Sequence, residues 1–165
     1  MAKVAKGKND LSVVQSGDLN PFEELFLERW NQIGAPIRPS EEECRLYEEY
    51  IRKAAGNHKS KLLILGATPE LRDLALHHSL KPVCCYHDIR VWQAMMFFMK
   101  HSGEEKFIHL NWLEMSEKDR CDIVLGYYSL NMLPRDSIKP FIEKTANLTK
   151  KGGLYIQRIG TSNEK

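Results

Sequence analysis

The segment KLLILGATPE, residues 61–70, determines the fold expected of this chain. Its first half is a continuous apolar run, which is typical of a strand buried on both faces of a parallel sheet. Its second half turns at Gly66, offers Thr68 as a helix N-cap and places Pro69 at the first helical position. A buried strand therefore leads through one tight turn into a helix, which is the first half of a βαβ unit.

The same alternation continues along the rest of the chain. Apolar runs predict strands, and most of the stretches between them predict helices. The strands are expected at 61–65, 82–86, 106–110, 121–125 and 154–157, and the helices at 69–79, 90–101 and 136–149. Right-handed crossovers join such elements, so we predict an α/β fold with a doubly wound, mostly parallel sheet and helices on both faces.

The chain divides into three parts by composition. Residues 1–19 mix lysine with small polar residues, which predicts a flexible arm. Residues 20–58 carry two helical patterns and predict an N-terminal helical cap. Residues 59–165 contain all the predicted strands and form the core.

Two signals define the helices of the predicted cap. In the first helix, Phe22, Phe26 and Trp30 fall on one face, so it either lies over a binding site as a lid or packs against the sheet. In the second, Ser40 followed three residues later by Glu43 forms a capping box, in which each side chain bonds to the backbone N–H of the other residue.

Composition limits the partners that we expect. A net charge of +2 over 165 residues, with no lysine or arginine block beyond the first residues, argues against nucleic acid. No apolar stretch reaches the ~20 residues of a membrane span, and no signal peptide is evident, so a cytoplasmic protein is expected. The four cysteines lack metal-ligand spacing, and we assign no metal site. Four histidines are interpreted as surface or core residues: His77, His78, His87 and His109.

Residues that follow the strands are the candidates for ligand binding, because ligands bind at the carboxyl ends of parallel strands. The turn at Gly66 would aim backbone N–H groups at a polar ligand. It lacks the other glycines of G-x-G-x-x-G, which argues against NAD or FAD. Asp88 lies 22 residues beyond Gly66, the spacing expected of a ribose partner, and this is the role that we favour. It is equally suited to cap the helix that begins near Arg90.

The third and fourth strand ends supply further candidates. The amide of Asn111 can bond to an adenine edge, and the indole of Trp112 can cover its face. Tyr127 and Tyr128 could form the wall of a pocket, although half-exposed tyrosines at the edge of a core are common.

Taken together, these elements resemble the class I S-adenosylmethionine-dependent methyltransferases. The segment LTKKGG at 148–153 resembles the L-x-P-G-G turn before strand five of that family. More narrowly, RPS at 38–40, LGATPEL at 65–71 and SLNMLP at 129–134 resemble a poorly characterised bacterial-type branch with a Leu-Gly-x-Thr-Pro-Glu turn. The resemblance extends from about Phe22 to Gly160 and implies a Rossmann-like sheet of order 3-2-1-4-5.

The resemblance also implies a cofactor and a reaction. The cofactor would be S-adenosylmethionine, and the acceptor of its methyl group a small molecule or a protein. The implied cofactor-binding residues are Gly66, Ala67 and Thr68 for the methionine end, Asp88 with Ile89 for the ribose, Asn111 with Trp112 for the adenine, Arg38 for the carboxylate, and Tyr127. The catalytic candidates, expected to face the methyl group, are Tyr127, Tyr128 and Asn131.

Two alternatives to an active methyltransferase stay open. The sequence ends after the fifth strand, two strands short of the complete family fold, so Leu154 to Arg158 are expected to form an exposed apolar edge that favours self-association. The missing elements and the bulk of Tyr127 favour a methyltransferase-like domain that binds without turnover. An NAD-linked oxidoreductase is disfavoured by the single-glycine turn.

Overall fold

The computed structural model describes residues 28–35, 37–55, 60–116, 118 and 120–161. The strands are β1 (Leu62–Leu65), β2 (Val83–Tyr86), β3 (Lys106–His109), β4 (Cys121–Tyr127) and β5 (Thr149–Arg158). The helices are α1 (Glu41–Ala55), α2 (Pro69–His77), α3 (Ile89–Met95) and α4 (Ile138–Leu148). All strand pairs are parallel, and the order β3-β2-β1-β4-β5 is the one predicted.

Helices cover both faces of the sheet, as predicted. One core contains buried side chains of α1, α2 and α3, and the other contains those of α4. Adjacent residues of β2 divide between them, since Cys84 belongs to the first core and Cys85 to the second. All four residues of β1 are buried, which is why its sequence is uniformly apolar.

Several element boundaries differ from the predicted ones; β4, for example, ends at Tyr127 rather than at Leu125. Strand β5 begins at Thr149, because Thr149 pairs with Cys121 before a bulge shifts the register so that Leu154 pairs with Ile123. The predicted turn before strand five is therefore an irregularity inside it. Helix α3 ends at Met95 and continues as a 3₁₀ turn, and α4 is likewise preceded by a 3₁₀ turn at Arg135–Ser137.

The cap is described only in part. Phe22, Phe26 and the arm at 1–19 lie outside the described residues. Trp30 is buried in the first core, 3% exposed. The predicted capping box is confirmed, since the Ser40 N–H donates to Glu43 (2.9 Å) and the Glu43 N–H donates to the Ser40 hydroxyl (3.2 Å).

Helix α1 lies across the ends of β4 and β5. The buried Tyr47 hydroxyl donates to the carbonyl of Gly126 (2.6 Å) and accepts from the N–H of Arg158 (3.1 Å). The side chains of Tyr155 and Ile156 pack against opposite cores. Strand β5 is an edge strand, as predicted, and its last five residues are half-buried. Self-association through this edge stays a prediction.

Replacing Tyr47 by phenylalanine is expected to lower the free energy of unfolding by about 1–3 kcal/mol, because the buried carbonyl of Gly126 and the partly buried N–H of Arg158 lose their shared partner. Urea denaturation followed by circular dichroism measures the change. Tyr50→Phe is the matched control on the same helix, since Tyr50 is 44% exposed. Equal losses in the two variants would contradict the role given to the Tyr47 hydroxyl.

A fully buried charged side chain, that of Arg72, lies among the helices that cover one face of the sheet. Arg72 of α2 is 0% exposed and makes a two-pronged ion pair with Glu105, at 3.0 and 2.6 Å. It also donates to the carbonyl of Trp92 (2.9 Å), and its guanidinium lies 5.0 Å from the centre of the Trp92 ring. The side chain therefore ties α2 to α3 and to the segment before β3.

None of the helices in the described part of the chain has the length and the apolar composition that a membrane span requires.

Candidate functional site

The turn after β1 leaves open space at the carboxyl end of the sheet. Gly66 has a φ of +133°, and a Cβ placed on it would meet no atom within 4 Å. Its N–H donates to the carbonyl of Cys85 in β2 (3.0 Å). The backbone at this position therefore needs glycine, and a ligand can approach it closely.

Helix α2 begins directly after this turn. Thr68 occupies the N-cap position and Pro69 the first helical position, as predicted. The Thr68 side chain does not cap the helix and makes no hydrogen bond within the described part of the chain. The N-terminal N–H groups of the helix and a free hydroxyl are thus available beside Gly66.

Asp88 follows β2 and acts as the cap of α3. Its carboxylate accepts from the N–H of Arg90 (2.8 Å) and from the Arg90 guanidinium (2.5 Å). The Arg90 side chain holds the pKa of Asp88 below its usual range, against the opposing effect of burial. The capping role that the sequence left open is confirmed, and the ribose role stays a prediction.

A cleft of about 180 Å³ lies beyond β2 and β3. The Trp112 indole N–H donates to the carbonyl of Cys85 (2.7 Å), so the ring is fixed as one wall. The Asn111 side chain accepts from the N–H of Leu113 (3.0 Å) at the start of a 3₁₀ turn. The lining residues are Tyr86, His87, Leu110, Asn111, Trp112, Met132 and Leu133.

The end of β4 carries backbone strain at Tyr128. Its φ is +59°, a value that non-glycine residues rarely adopt. Its ring lies 4.8 Å from the guanidinium of Arg158. Asn131 pairs through both ends of its amide with the backbone of Gly160, at 2.9 and 3.0 Å. These contacts hold the segment after β4 against the segment after β5.

Tyr127 points into the first core, toward α1. It is 8% exposed, and its hydroxyl donates to Glu43 (3.1 Å). Burial and the neighbouring Glu43 carboxylate raise the pKa of Tyr127. Burial alone would raise the pKa of Glu43, but hydrogen bonds from Arg158, Ser40 and Tyr127 together lower it. The tyrosine ring is thus part of the contact between α1 and the sheet.

Arg38 reaches the first turn of α2. Its guanidinium pairs with Glu70 (2.5 Å) and donates to the carbonyl of Trp30 (3.2 Å). The Trp30 indole N–H also donates to Glu70 (3.3 Å). The second carboxylate oxygen of Glu70, Oε2, is buried and has no hydrogen-bond partner among the described residues. A buried acceptor without a donor is costly, so this oxygen is a candidate ligand contact.

The structure thus places some of the predicted site residues at two neighbouring positions on the sheet edge and the others elsewhere. Gly66, Thr68 and Arg38 adjoin the turn after β1, while Asn111 and Trp112 line the cleft. Sequence reasoning missed Glu70 as a site residue although it ends the quoted segment, because a glutamate in the first turn of a helix is explained by the helix dipole alone. Two other predicted cofactor residues pack with the first core, where Ala67 is buried and Ile89 is half-buried. The side chain of Asn131 is hydrogen-bonded to the backbone of Gly160.

No protein-family model matches the sequence, and no match was found among curated proteins. Solved structures do match. A TehB-like SAM-dependent methyltransferase from Corynebacterium glutamicum superposes with a TM-score of 0.61, at 13% identity, over 84% of this chain and 73% of that chain. The N-methyltransferase NodS from Bradyrhizobium japonicum, solved with S-adenosyl-L-homocysteine, gives a TM-score of 0.58 at 13% identity over 82% and 71%. The chain has the class I S-adenosylmethionine-dependent methyltransferase fold.

A third structure with this methyltransferase fold matches more of the chain. The 1,6-didemethyltoxoflavin-N1-methyltransferase of Burkholderia thailandensis covers 92% of this chain and 71% of its own, with a TM-score of 0.56 and 14% identity. The chain spans 55% of the length of the glycopeptide N-methyltransferase MtfA, another match. In this fold, Gly66 and the cleft lie at the carboxyl ends of the strands, which is the edge where open parallel sheets bind ligands.

Proposed function

We propose that this chain binds S-adenosylmethionine at the carboxyl edge of its sheet and acts as a methyltransferase on a small molecule or a protein. The observation that carries the proposal is the turn at Gly66. The backbone conformation of Gly66 favours glycine, and there is open space beside it. The turn follows β1, which lies between β2 and β4, and open α/β sheets bind ligands where the strand order reverses in this way.

The residues around this turn fit the amino-acid end of the cofactor. The free oxygen of Glu70 can accept from an ammonium group, and the guanidinium of Arg38 can donate to a carboxylate. The Thr68 hydroxyl and the first N–H groups of α2 add polar contacts. In the absence of a ligand, Arg38 and Glu70 neutralise each other.

Asp88 and the cleft fit the nucleoside end. A carboxylate has about four acceptor sites, and contacts with Arg90 occupy them. Ribose hydroxyls would therefore replace the contacts from the Arg90 side chain, which is 39% exposed. The rigid Trp112 ring and the Asn111 amide supply a face and an edge for adenine.

When bound, S-adenosylmethionine supplies an electrophilic methyl group. The chain's contribution is to hold that group in line with the acceptor, which needs no dedicated base. Tyr128 is the candidate for the wall nearest the acceptor, because its strained backbone fixes a half-buried ring after β4.

A second candidate function is cofactor binding without turnover. Two of the three catalytic candidates have their polar groups occupied within the chain: the Tyr127 hydroxyl by Glu43 and the Asn131 amide by Gly160. Saturable binding combined with no methyl transfer across an acceptor screen would favour this alternative.

Calorimetric titration with S-adenosylhomocysteine tests the proposal. Replacing Asp88 by alanine is expected to weaken binding about tenfold, the effect of losing hydrogen bonds to a charged acceptor. Asp88→Ser is the control for the capping role, because serine caps helices as well as aspartate does but is too short to reach a ribose.

Equal weakening in the alanine and serine variants would support a direct contact with the cofactor. If the serine variant instead bound S-adenosylhomocysteine as tightly as the wild type does, the role of Asp88 would be to cap the helix and not to contact the cofactor. No binding by folded wild-type protein would contradict the proposed function itself.

A further inference from the structure

A second group of ligand-type side chains lies between α1 and α2. Glu48 of α1 and the neighbouring His77 and His78 at the end of α2 place one donor atom each within 4.8 Å of one another. Within the described residues they are the one such group of three. The two histidines are adjacent in sequence and Glu48 lies 29 residues away, so only the packing of α1 on α2 brings the three together.

The spacing of the donor atoms suits a tetrahedral metal ion. Ligands at about 2.0–2.1 Å from a tetrahedral ion are separated from each other by roughly 3.3 Å. The Glu48 carboxylate and the His78 Nε2 are already 3.2 Å apart. His77 is exposed, so its ring can rotate the remaining distance without disturbing the core.

The site also has room for the remaining ligand of the ion. The Glu48 side chain is 40% exposed and that of His78 22%, so water can reach the same point. The ring of His101 lies 5.2 Å from that of His77, and its Nδ1 is 3.5 Å from Asp73. A water molecule or His101 can therefore complete four-coordination.

We propose that Glu48, His77 and His78 bind a divalent transition-metal ion of the Zn²⁺ class. Two imidazoles and one carboxylate are a donor set that suits zinc, copper and nickel rather than calcium or magnesium. The site is separate from the proposed cofactor cleft, because His77 lies at the far end of α2, a helix of nine residues and about 13 Å that begins after the turn at Gly66.

Metal binding here would fasten α1 to the core. Helix α1 carries Glu43 and Tyr47, which hold the ends of β4 and β5. An ion that joins α1 to α2 stabilises this arrangement in the folded state only, and therefore raises the temperature of unfolding. The ion is structural in this proposal, with no part in methyl transfer.

Calorimetric titration of chelator-treated protein with ZnCl₂ tests the proposal. The wild type is expected to bind one ion at this site, and His78→Ala to bind more than about tenfold more weakly, since losing a direct ligand costs at least as much as losing an outer one. His109→Ala is the control, because His109 is exposed on β3. It is expected to bind as the wild type does.

Thermal unfolding with and without ZnCl₂ separates a metal site from a simple salt bridge. The wild type and His109→Ala are expected to unfold at a higher temperature with zinc, whereas Glu48→Gln and His78→Ala gain little or nothing. The proposal is overturned if the wild type neither binds zinc saturably nor gains stability. It is also overturned if Glu48→Gln and His78→Ala respond to zinc as the wild type does.

Discussion

Replacing Arg72 by leucine is expected to lower the free energy of unfolding by about 3–5 kcal/mol, the effect of breaking a buried ion pair from one side. The leucine removes both donors to Glu105, whose side chain is only 6% exposed, and the donor to the carbonyl of Trp92. The glutamate is left as a desolvated charge without a partner. Urea unfolding followed by circular dichroism measures the loss.

Two further variants show whether burial is the cause. Lys81→Ala removes a partner from the neighbouring pair with Glu104, in which the side chains are 71% and 58% exposed, and is expected to cost less than about 1 kcal/mol. The double change Arg72→Leu with Glu105→Leu removes both charges and is expected to recover most of the stability. A single-variant loss similar to that of Lys81→Ala would contradict the account of the buried pair.

Replacing Gly66 by valine is expected to weaken S-adenosylhomocysteine binding by between about tenfold and 100-fold, which corresponds to about 1–3 kcal/mol of steric overlap. The space that surrounds the glycine is the space assigned to the cofactor. The same change forces a branched residue to a φ of +133° and is expected to destabilise the fold by about 1–3 kcal/mol.

Gly152 provides a matched control for the backbone strain. It has a φ of +79° and open space around it, but it lies in the bulge of β5. Gly152→Val is therefore expected to reduce stability without changing the affinity for S-adenosylhomocysteine. Calorimetric titrations of both folded variants would contradict the site assignment if the two lost affinity equally.

Much of the fold could be predicted from local patterns. A strand buried on both faces is apolar throughout, so the apolar run before Gly66 could be recognised as a buried strand from its sequence alone. The capping box of Ser40 and Glu43 is likewise contained within four residues. The start of β5 could not be predicted, because the bulge depends on the register between Thr149 and Cys121, which belong to different segments.

The candidate site was predictable only where its residues follow strands. Gly66, Asp88 and Asn111 fall at strand ends, and parallel strands bring their carboxyl ends to one edge. Tyr127 is the last residue of β4 and Asn131 follows the strand closely, but the groups that their side chains contact belong to distant residues. Their partners, Glu43 and Gly160, become neighbours only through packing.

The sequence by itself determined the parallel α/β architecture, its strand order through the family resemblance, and the glycine turn, because each rests on residues close together in the chain. The tertiary structure alone decided which polar groups meet. It joined Arg38 to Glu70, Arg72 to Glu105, and Glu48 to His77 and His78. Such pairs form between separate helices, and their geometry is fixed by how apolar faces pack rather than by any local pattern.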